Sequence, residues 1–238
     1  MGNSCIYPSG TDSRLLNEIE GIMQKIYSEL YIDRYLDYQS SVLLCRMFQS
    51  TKRKLPDLSG SMGKRSIIIG PYKISGNLPD IDQNTTVIVA GSSIMNYDLR
   101  EPPNFIVTDM DGDLDKVFVY SSMGSTVVFH AHGDNISAII DNFSRINGPI
   151  IPSCQVYDHA DVNNFGGFTD GDRSVFFANF LKSPRIDIYG FKMDDPIAKS
   201  HDLVETKRKK LEFAWDLIDF LKDYRSPAYG QQNIIFHE

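Results

Sequence analysis

The spacing of apolar residues changes along the chain. Leu15, Ile19, Ile22, Ile26 and Leu30 recur every three or four positions, which predicts an amphipathic helix with Thr11, Asp12 or Ser13 as its cap. A second helix is expected from Asp33 to Phe48, with Leu36, Leu43, Leu44 and Met47 inward. Between Lys52 and Arg65, Pro, Gly, Ser and basic residues predict an exposed connection. The pattern then shifts to short apolar runs at Ser66–Ile69, Thr86–Ala90, Phe105–Thr108, Thr126–His130, Gly148–Pro152 and Arg185–Tyr189, the last expected to be the final strand. Continuous runs bounded by turn residues predict strands buried on both faces. Helical stretches fall between them: after Leu114, from Ile136 to Phe143, from Val175 to Leu181, and from Leu203 to Tyr224. Alternating strands and helices predict an α/β fold with a doubly wound, mainly parallel sheet over 66–238. A helical amino-terminal subdomain and linker are expected over 1–65.

Composition narrows the classes. With 238 residues and 42% hydrophobic content, the chain can bury a real core and is not disordered. No apolar run is long enough for a membrane span, so no membrane partner is expected. The polar start, Met1 to Ile6, lacks a leader pattern, and Ile6 stands where a myristoylation signal wants Ser or Thr. Cys5, Cys45 and Cys154 have no metal-ligand spacing, and so sparse a set suits a reducing cytoplasm. A formal charge of −7 argues against a nucleic-acid partner. Phosphorylated small molecules remain open if a metal and a few local cations supply positive charge.

The polar clusters all fall at strand carboxyl ends, where open α/β sheets bind ligands. Asp109 and Asp111 alternate after the third strand, so in extended backbone both point to one face. Paired carboxylates repel unless a hard cation such as Mg²⁺ lies between them; an acidic solvated turn is the plainer alternative. Gly91, Ser92 and Ser93 end the second strand with small residues whose backbone can approach a phosphate. His130, His132 and Asp134 alternate after the fourth strand, with Asp134 or Asn135 as the cap of the next helix. Thr169 and Asp172 match a capping box, which leaves Asp170 and Arg173 without a structural explanation. Lys207 to Lys210 lie near the start of the last helix, against its dipole, which suggests an anionic partner; an ordinary exposed basic turn is the plainer alternative.

Two family patterns fit poorly. The strand–Asp-x-Asp-Gly motif of haloacid-dehalogenase phosphatases is matched at Asp109–Gly112, but Asp113 replaces its Thr or Ser; Gly190 to Asp195 also mimics that family's late acidic motif. An EF-hand loop fails at Leu114 and Tyr120. A third resemblance is closer. Val107-Thr-Asp-Met-Asp-Gly112, His130-Ala-His-Gly-Asp-Asn135, Gly167-Phe-Thr-Asp-Gly-Asp-Arg173 and Lys207-x-x-Lys-Leu211 occur in the order and spacing of the archaeal 6-hydroxymethyl-7,8-dihydropterin pyrophosphokinase (MptE-like) family. The likeness runs from about residue 66 onward; Gly91-Ser-Ser-Ile94 departs from the family's Gly-Pro-Ser-Leu.

That resemblance implies a Rossmann-like domain related to thiamine pyrophosphokinase, with ATP as co-substrate and a reduced pterin as acceptor. It implies diphosphate transfer with release of AMP, in tetrahydromethanopterin or folate-type cofactor synthesis. On this reading Asp109, Asp111, Asp170 and Asp172 hold Mg²⁺, with His132 and Arg173 neutralising phosphate charge. Gly91, Ser92, Ser93, Gly133, Asp134, Asn135, Lys207 and Lys210 face the nucleotide, and Phe165, Phe168, Asn163 and Asn164 are candidates for the pterin. A metal-dependent nucleotide-sugar glycosyltransferase and a non-catalytic nucleotide-binding protein stay open as alternatives, and a homo-oligomer is compatible with the sequence.

Overall fold

The computed structural model describes residues 12–74, 80–99, 101–156, 161–192 and 204–237. Expectations placed on Met1–Ile6, Cys5, Thr11, Leu203 and the end of the Gly190–Asp195 segment lie outside these residues.

Among the described residues, seven strands form one sheet: β1 (Arg65–Ile69), β2 (Thr85–Ala90), β3 (Phe105–Thr108), β4 (Thr126–Ala131), β5 (Ile150–Cys154), β6 (Ile186–Tyr189) and β7 (Ile234–His237). Their order is β5-β4-β3-β2-β1-β6-β7, and every neighbouring pair is parallel. The chain steps outward from β1 to β5, then crosses back to place β6 on the other side of β1. The crevice created by that reversal opens at the strand carboxyl ends.

The expectation that Arg185–Tyr189 closes the sheet is corrected by β7. Its four residues, Ile-Ile-Phe-His, are as many as β3 or β6 has, and only three of them are apolar. They are held by β6, in register Ile186 with Ile234 through Tyr189 with His237.

Helices cover both faces of the sheet: α1 (Ser13–Glu29), α2 (Arg34–Ser50), α3 (Leu114–Ser122), α4 (Ile136–Asn142), α5 (Asp170–Phe180) and α6 (Val204–Tyr229). Strand side chains alternate between faces. Ile68, Ile88, Phe105, Val107, Val128 and Ile151 meet α1, α5 and α6 on one side. Ile67, Ile69, Val87, Val89, Ile106 and Phe129 meet residues of α2, α3 and α4 on the other. The two amino-terminal helices therefore each belong to one of the sheet's two cores. Among the described residues, no helix is long and apolar enough to cross a membrane.

Asp12 caps α1 by accepting the N–H of Leu15 at 3.2 Å, as expected. Of the expected inward residues of α2, Leu44 is buried and Leu43 and Met47 pack against the same core, but Leu36 does not. Leu36 is exposed, and Asp37, Ser40 and Ser41 are buried beside Leu44 and Phe48. A polar stripe can be buried there because it meets polar groups at the ends of β4 and β5 rather than the apolar sheet.

Candidate active site

Three loops and a helix start converge at the carboxyl edge of the sheet. Strand β3 ends at Thr108, whose Oγ1 accepts the N–H of Met110 at 2.9 Å. Met110 takes a left-handed φ of 70° and buries its side chain in the core below. Asp109 and Asp111 therefore converge through this turn, and not through strand alternation as expected. Asp170, the first residue of α5, completes the group: one carboxylate oxygen from each of Asp109, Asp111 and Asp170 lies within 4.8 Å of the others.

The start of α5 is built by its own sequence. Thr169 and Asp172 form the expected capping box. Asp172 is fully buried and accepts from the N–H groups of Phe168 and Thr169, at 2.6 and 2.8 Å, and from the Thr169 hydroxyl. The structure does not bring Asp172 into the acidic group, because its oxygens are occupied in capping. Arg173 donates from Nη1 to Asp170 Oδ1 at 3.0 Å and from Nη2 to the carbonyl of Phe168 at 2.7 Å. It is only 3% exposed and balances charge beside Asp170, and it borders the cavity there.

The loop after β4 holds the other side. His132 Nδ1 accepts the N–H of Asp134 at 3.3 Å, which leaves Nε2 as the protonated nitrogen facing Asp109 Oδ2 at 3.2 Å. Asn135 stands at the cap position of α4, as expected, but its side chain makes no cap bond to that helix; it instead forms a capping box with His132 around a 3₁₀ turn, Gly133–Asn135. Asn135 accepts the N–H of His132 and donates to the carbonyls of Asp109 and His130, at 2.9, 3.0 and 2.7 Å. Its amide is thereby satisfied and joins β3 to β4 rather than facing a nucleotide. His130 is fully buried, with Nδ1 3.0 Å from Ser153 Oγ; burial, then the charges of Arg173 and His132, hold it well below the usual imidazole range.

The carboxylates are unequal. Burial pushes Asp109 up, but the His132 hydrogen bond and the charges of His132 and Arg173 leave it below the usual carboxylate range. Burial and then the charge of Asp109 push Asp170 well above that range, against the opposing charge of Arg173. Asp109 Oδ1 is buried with no hydrogen-bond donor. An orphaned buried oxygen amid three converging carboxylates is a hard-oxygen donor set, which fits a divalent cation such as Mg²⁺.

The acidic group opens into a cavity of about 660 Å³, a size suited to a nucleotide-scale ligand. Gly91, Ser92, Ser93, Gly133 and Asp134 border it, as do Lys207 and Lys210 of α6. Gly91 has a φ of +50°, and Gly112 lets the loops after β2 and β3 touch: a Cβ there would lie 2.9 Å from Ser92 Cα. Of the candidates for the pterin, Phe168 lines the cavity, with Lys210 Nζ 5.9 Å from its ring centre. Phe165 instead packs in the core, 5.0 Å from the ring of Phe177. Asn163 bridges to Ser153 beside β5, and Asn164 donates to the carbonyl of Val156.

Sequence reasoning missed Tyr31, Asp37, Tyr72, Gln155, Phe191 and Lys192, which also line the cavity. Phe191 and Lys192 follow a strand end, and that position was a usable signal. Tyr31 and Asp37 come from the turn and helix before the sheet, where no motif marks them.

No protein-family model matches the chain. Over 235 residues it is 33% identical to the 6-hydroxymethyl-7,8-dihydropterin pyrophosphokinase of Methanocaldococcus jannaschii, covering 87% of this chain and 96% of that protein. It is also similar to proteins of the same name from Methanothermobacter thermautotrophicus, 36% identical over 152 residues (60% of this chain, 65% of the relative), and Pyrococcus furiosus, 33% over 156 residues (60% and 64%). With the first match spanning most of both proteins, the chain belongs to the 6-hydroxymethyl-7,8-dihydropterin pyrophosphokinase family.

Proposed function

We propose that this protein is a cytoplasmic enzyme that moves the β,γ-diphosphate of ATP to the hydroxymethyl group of 6-hydroxymethyl-7,8-dihydropterin, releasing AMP, in reduced-pterin cofactor synthesis. The observation that carries the reading is the meeting of Asp109, Asp111 and Asp170 in the lining of a cavity that also presents Lys192, Lys207 and Lys210. Converging carboxylates and ammonium groups in one cavity suit a metal-bound polyphosphate better than an uncharged ligand.

In the reaction, the substrate hydroxyl oxygen bonds to the β-phosphorus. The bond from that phosphorus to the α,β-bridging oxygen breaks, and AMP leaves with the oxygen. Catalysis of this kind is mainly positioning and charge neutralisation. Asp109, Asp111 and Asp170 would hold Mg²⁺, which supplies charge neutralisation at the phosphate oxygens when bound. Lys207 and Lys210 bind further phosphate charge, and the Gly91–Ser93 backbone approaches the nucleotide. His132 holds Asp109 in place through Nε2–H, while Arg173 holds Asp170. The hydroxyl proton passes to the acidic group and then to solvent. Tyr31, Tyr72, Phe168 and Phe191 offer flat apolar faces for the two heteroaromatic rings.

The test is AMP formation by the purified protein with ATP, Mg²⁺ and 6-hydroxymethyl-7,8-dihydropterin, with thiamine as the control acceptor. AMP that requires the pterin supports the reading. A folded protein that binds Mg·ATP yet makes no AMP with this pterin refutes the assigned acceptor.

A further inference from the structure

Within the cavity wall, one carboxylate joins both halves of the acidic site. Asp37 of α2 is 1% exposed. Its Oδ1 accepts the N–H of Gly133 at 2.7 Å, and its Oδ2 accepts from Nε2 of Gln155 at 2.6 Å. Gly133 directly follows His132, which faces Asp109. Gln155 presents Oε1 to Arg173 Nη2 at 3.4 Å, and Arg173 pairs with Asp170. One side chain thus reaches the Asp109 arm through Gly133 and His132, and the Asp170 arm through Gln155 and Arg173.

The contact is closely built. A Cβ on Gly133 would lie 2.7 Å from Cβ of Leu36, so α2 approaches this loop only because residue 133 has no side chain. Ser40, one turn along α2, places its hydroxyl 3.4 Å from Asn135 Oδ1. The buried polar face of α2 is therefore a face that meets the loop after β4, which explains why Asp37 is inward.

We propose that Asp37 is a positioning residue for the diphosphate transfer: it orients His132 and Arg173, and through them sets where the carboxylates of Asp109 and Asp170 stand. The kinetic part rests on the pyrophosphokinase reading; the metal-binding part does not. The chemistry requires an acceptor at both oxygens, because both partners donate. An amide at position 37 satisfies Gly133 but places its own NH₂ against the NH₂ of Gln155. If the Gln155 amide then turns over, its NH₂ meets Arg173 and the second arm is broken. Moving the carboxylate one link along the chain, from position 37 to position 155, restores every donor–acceptor pair. The amide introduced at 37 then accepts from Gly133 and donates to the carboxylate introduced at 155, which in turn accepts from Arg173.

The experiment compares wild type, Asp37→Asn, Gln155→Glu and the double variant. Mn²⁺ affinity is titrated by electron paramagnetic resonance without substrates, alongside kcat and KM for AMP formation. Partners behind a metal site are commonly worth about 10- to 100-fold, so Asp37→Asn is expected to lose that much in Mn²⁺ affinity and in kcat, with KM for the pterin within about twofold of wild type. The double variant is expected to return to within about threefold of wild type, a coupling that independent sites do not show. The proposal is overturned if Asp37→Asn stays within about twofold of wild type in both quantities, or if the double variant is no better than Gln155→Glu. Absence of any Mn²⁺ binding by the wild type overturns it too. Should Asp37→Asn fail to fold, Gln155→Glu against the double variant decides by the same criterion. A wild type that binds Mn²⁺ but makes no AMP from the pterin refutes the assigned reaction, and the Mn²⁺ comparison still judges Asp37.

Discussion

The carboxylate of Asp170 occupies the space that a side chain on Gly91 would need. A Cβ at Gly91 would fall 2.5 Å from Asp170 Oδ2, and the backbone there has a φ of +50°. The end of β2 and the start of α5 are thus fitted to each other through one missing side chain. Gly91→Ala is expected to cost about 1–2 kcal/mol from the left-handed backbone alone. It should also displace Asp170 from the acidic group, lowering kcat at least ~10-fold. Thermal denaturation and AMP release measure the two effects separately. Unchanged turnover in the alanine variant would show that Asp170 is not needed where it stands.

Asp109→Ala and Asp111→Ala are each expected to lower the rate at least ~10²-fold, about 2.7 kcal/mol of transition-state stabilisation. Asp111 is exposed, whereas Asp109 is tied to His132 through its side chain and to Asn135 through its carbonyl. Because it is the more exposed of the two, the Asp111 variant should lower the melting temperature less than the Asp109 variant. Near-normal turnover in either folded variant would remove that residue from the metal group.

Asp172 and Asp170 stand two residues apart in sequence, yet only Asp170 faces the acidic group. Asp172→Ala removes the acceptor for two backbone N–H groups and the Thr169 hydroxyl. Leaving those donors buried should cost about 1–3 kcal/mol, which lowers the melting temperature by several degrees in a chain of this size, at roughly 2–4 °C per kcal/mol. Mn²⁺ affinity, measured below the melting transition, should fall far less than in Asp109→Ala. A larger loss in Asp172→Ala than in Asp109→Ala would make Asp172 a ligand after all.

A second buried carboxylate gives the acid limit of stability. Asp187 on β6 accepts from Arg65 Nε at 2.6 Å, Arg185 Nη2 at 2.7 Å and His237 Nε2 at 2.6 Å. Burial pushes it up, but the hydrogen bonds from Arg185, Arg65 and His237 outweigh burial and hold it below the usual range. A carboxyl whose folded value is depressed contributes stability above its unfolded value of about 3.9, and loses it as pH falls through the lower folded value. Asp187→Asn should therefore melt below wild type at pH 7, and the gap should close as the pH is taken below about 4. Melting curves that stay parallel from pH 7 to 3 would contradict this assignment.

The sequence by itself determined six strands of the sheet, their parallel character and the strand ends at which the polar clusters gather. Ile67 to Ile69, Val87 to Val89 and Ile106 to Val107 are apolar at every position because both faces of a parallel sheet are covered. Polar clusters at strand ends then mark the open edge. The capping box of Thr169 and Asp172 and the pairing of Asp109 with Asp111 were legible for the same reason: each depends on residues two or three apart. Tertiary structure alone decided what each polar residue faces. Met110, in a left-handed turn, swings Asp111 toward Asp109. Arg173 turns inward to Asp170, and Asn135 turns back to the carbonyls of Asp109 and His130. The buried polar face of α2 and the pairing of β7 with β6 were equally hidden. These outcomes are set by partners far away in sequence, as Asp37 is from Gly133 and Gln155. Local spacing carries no information about a donor that only folding brings near.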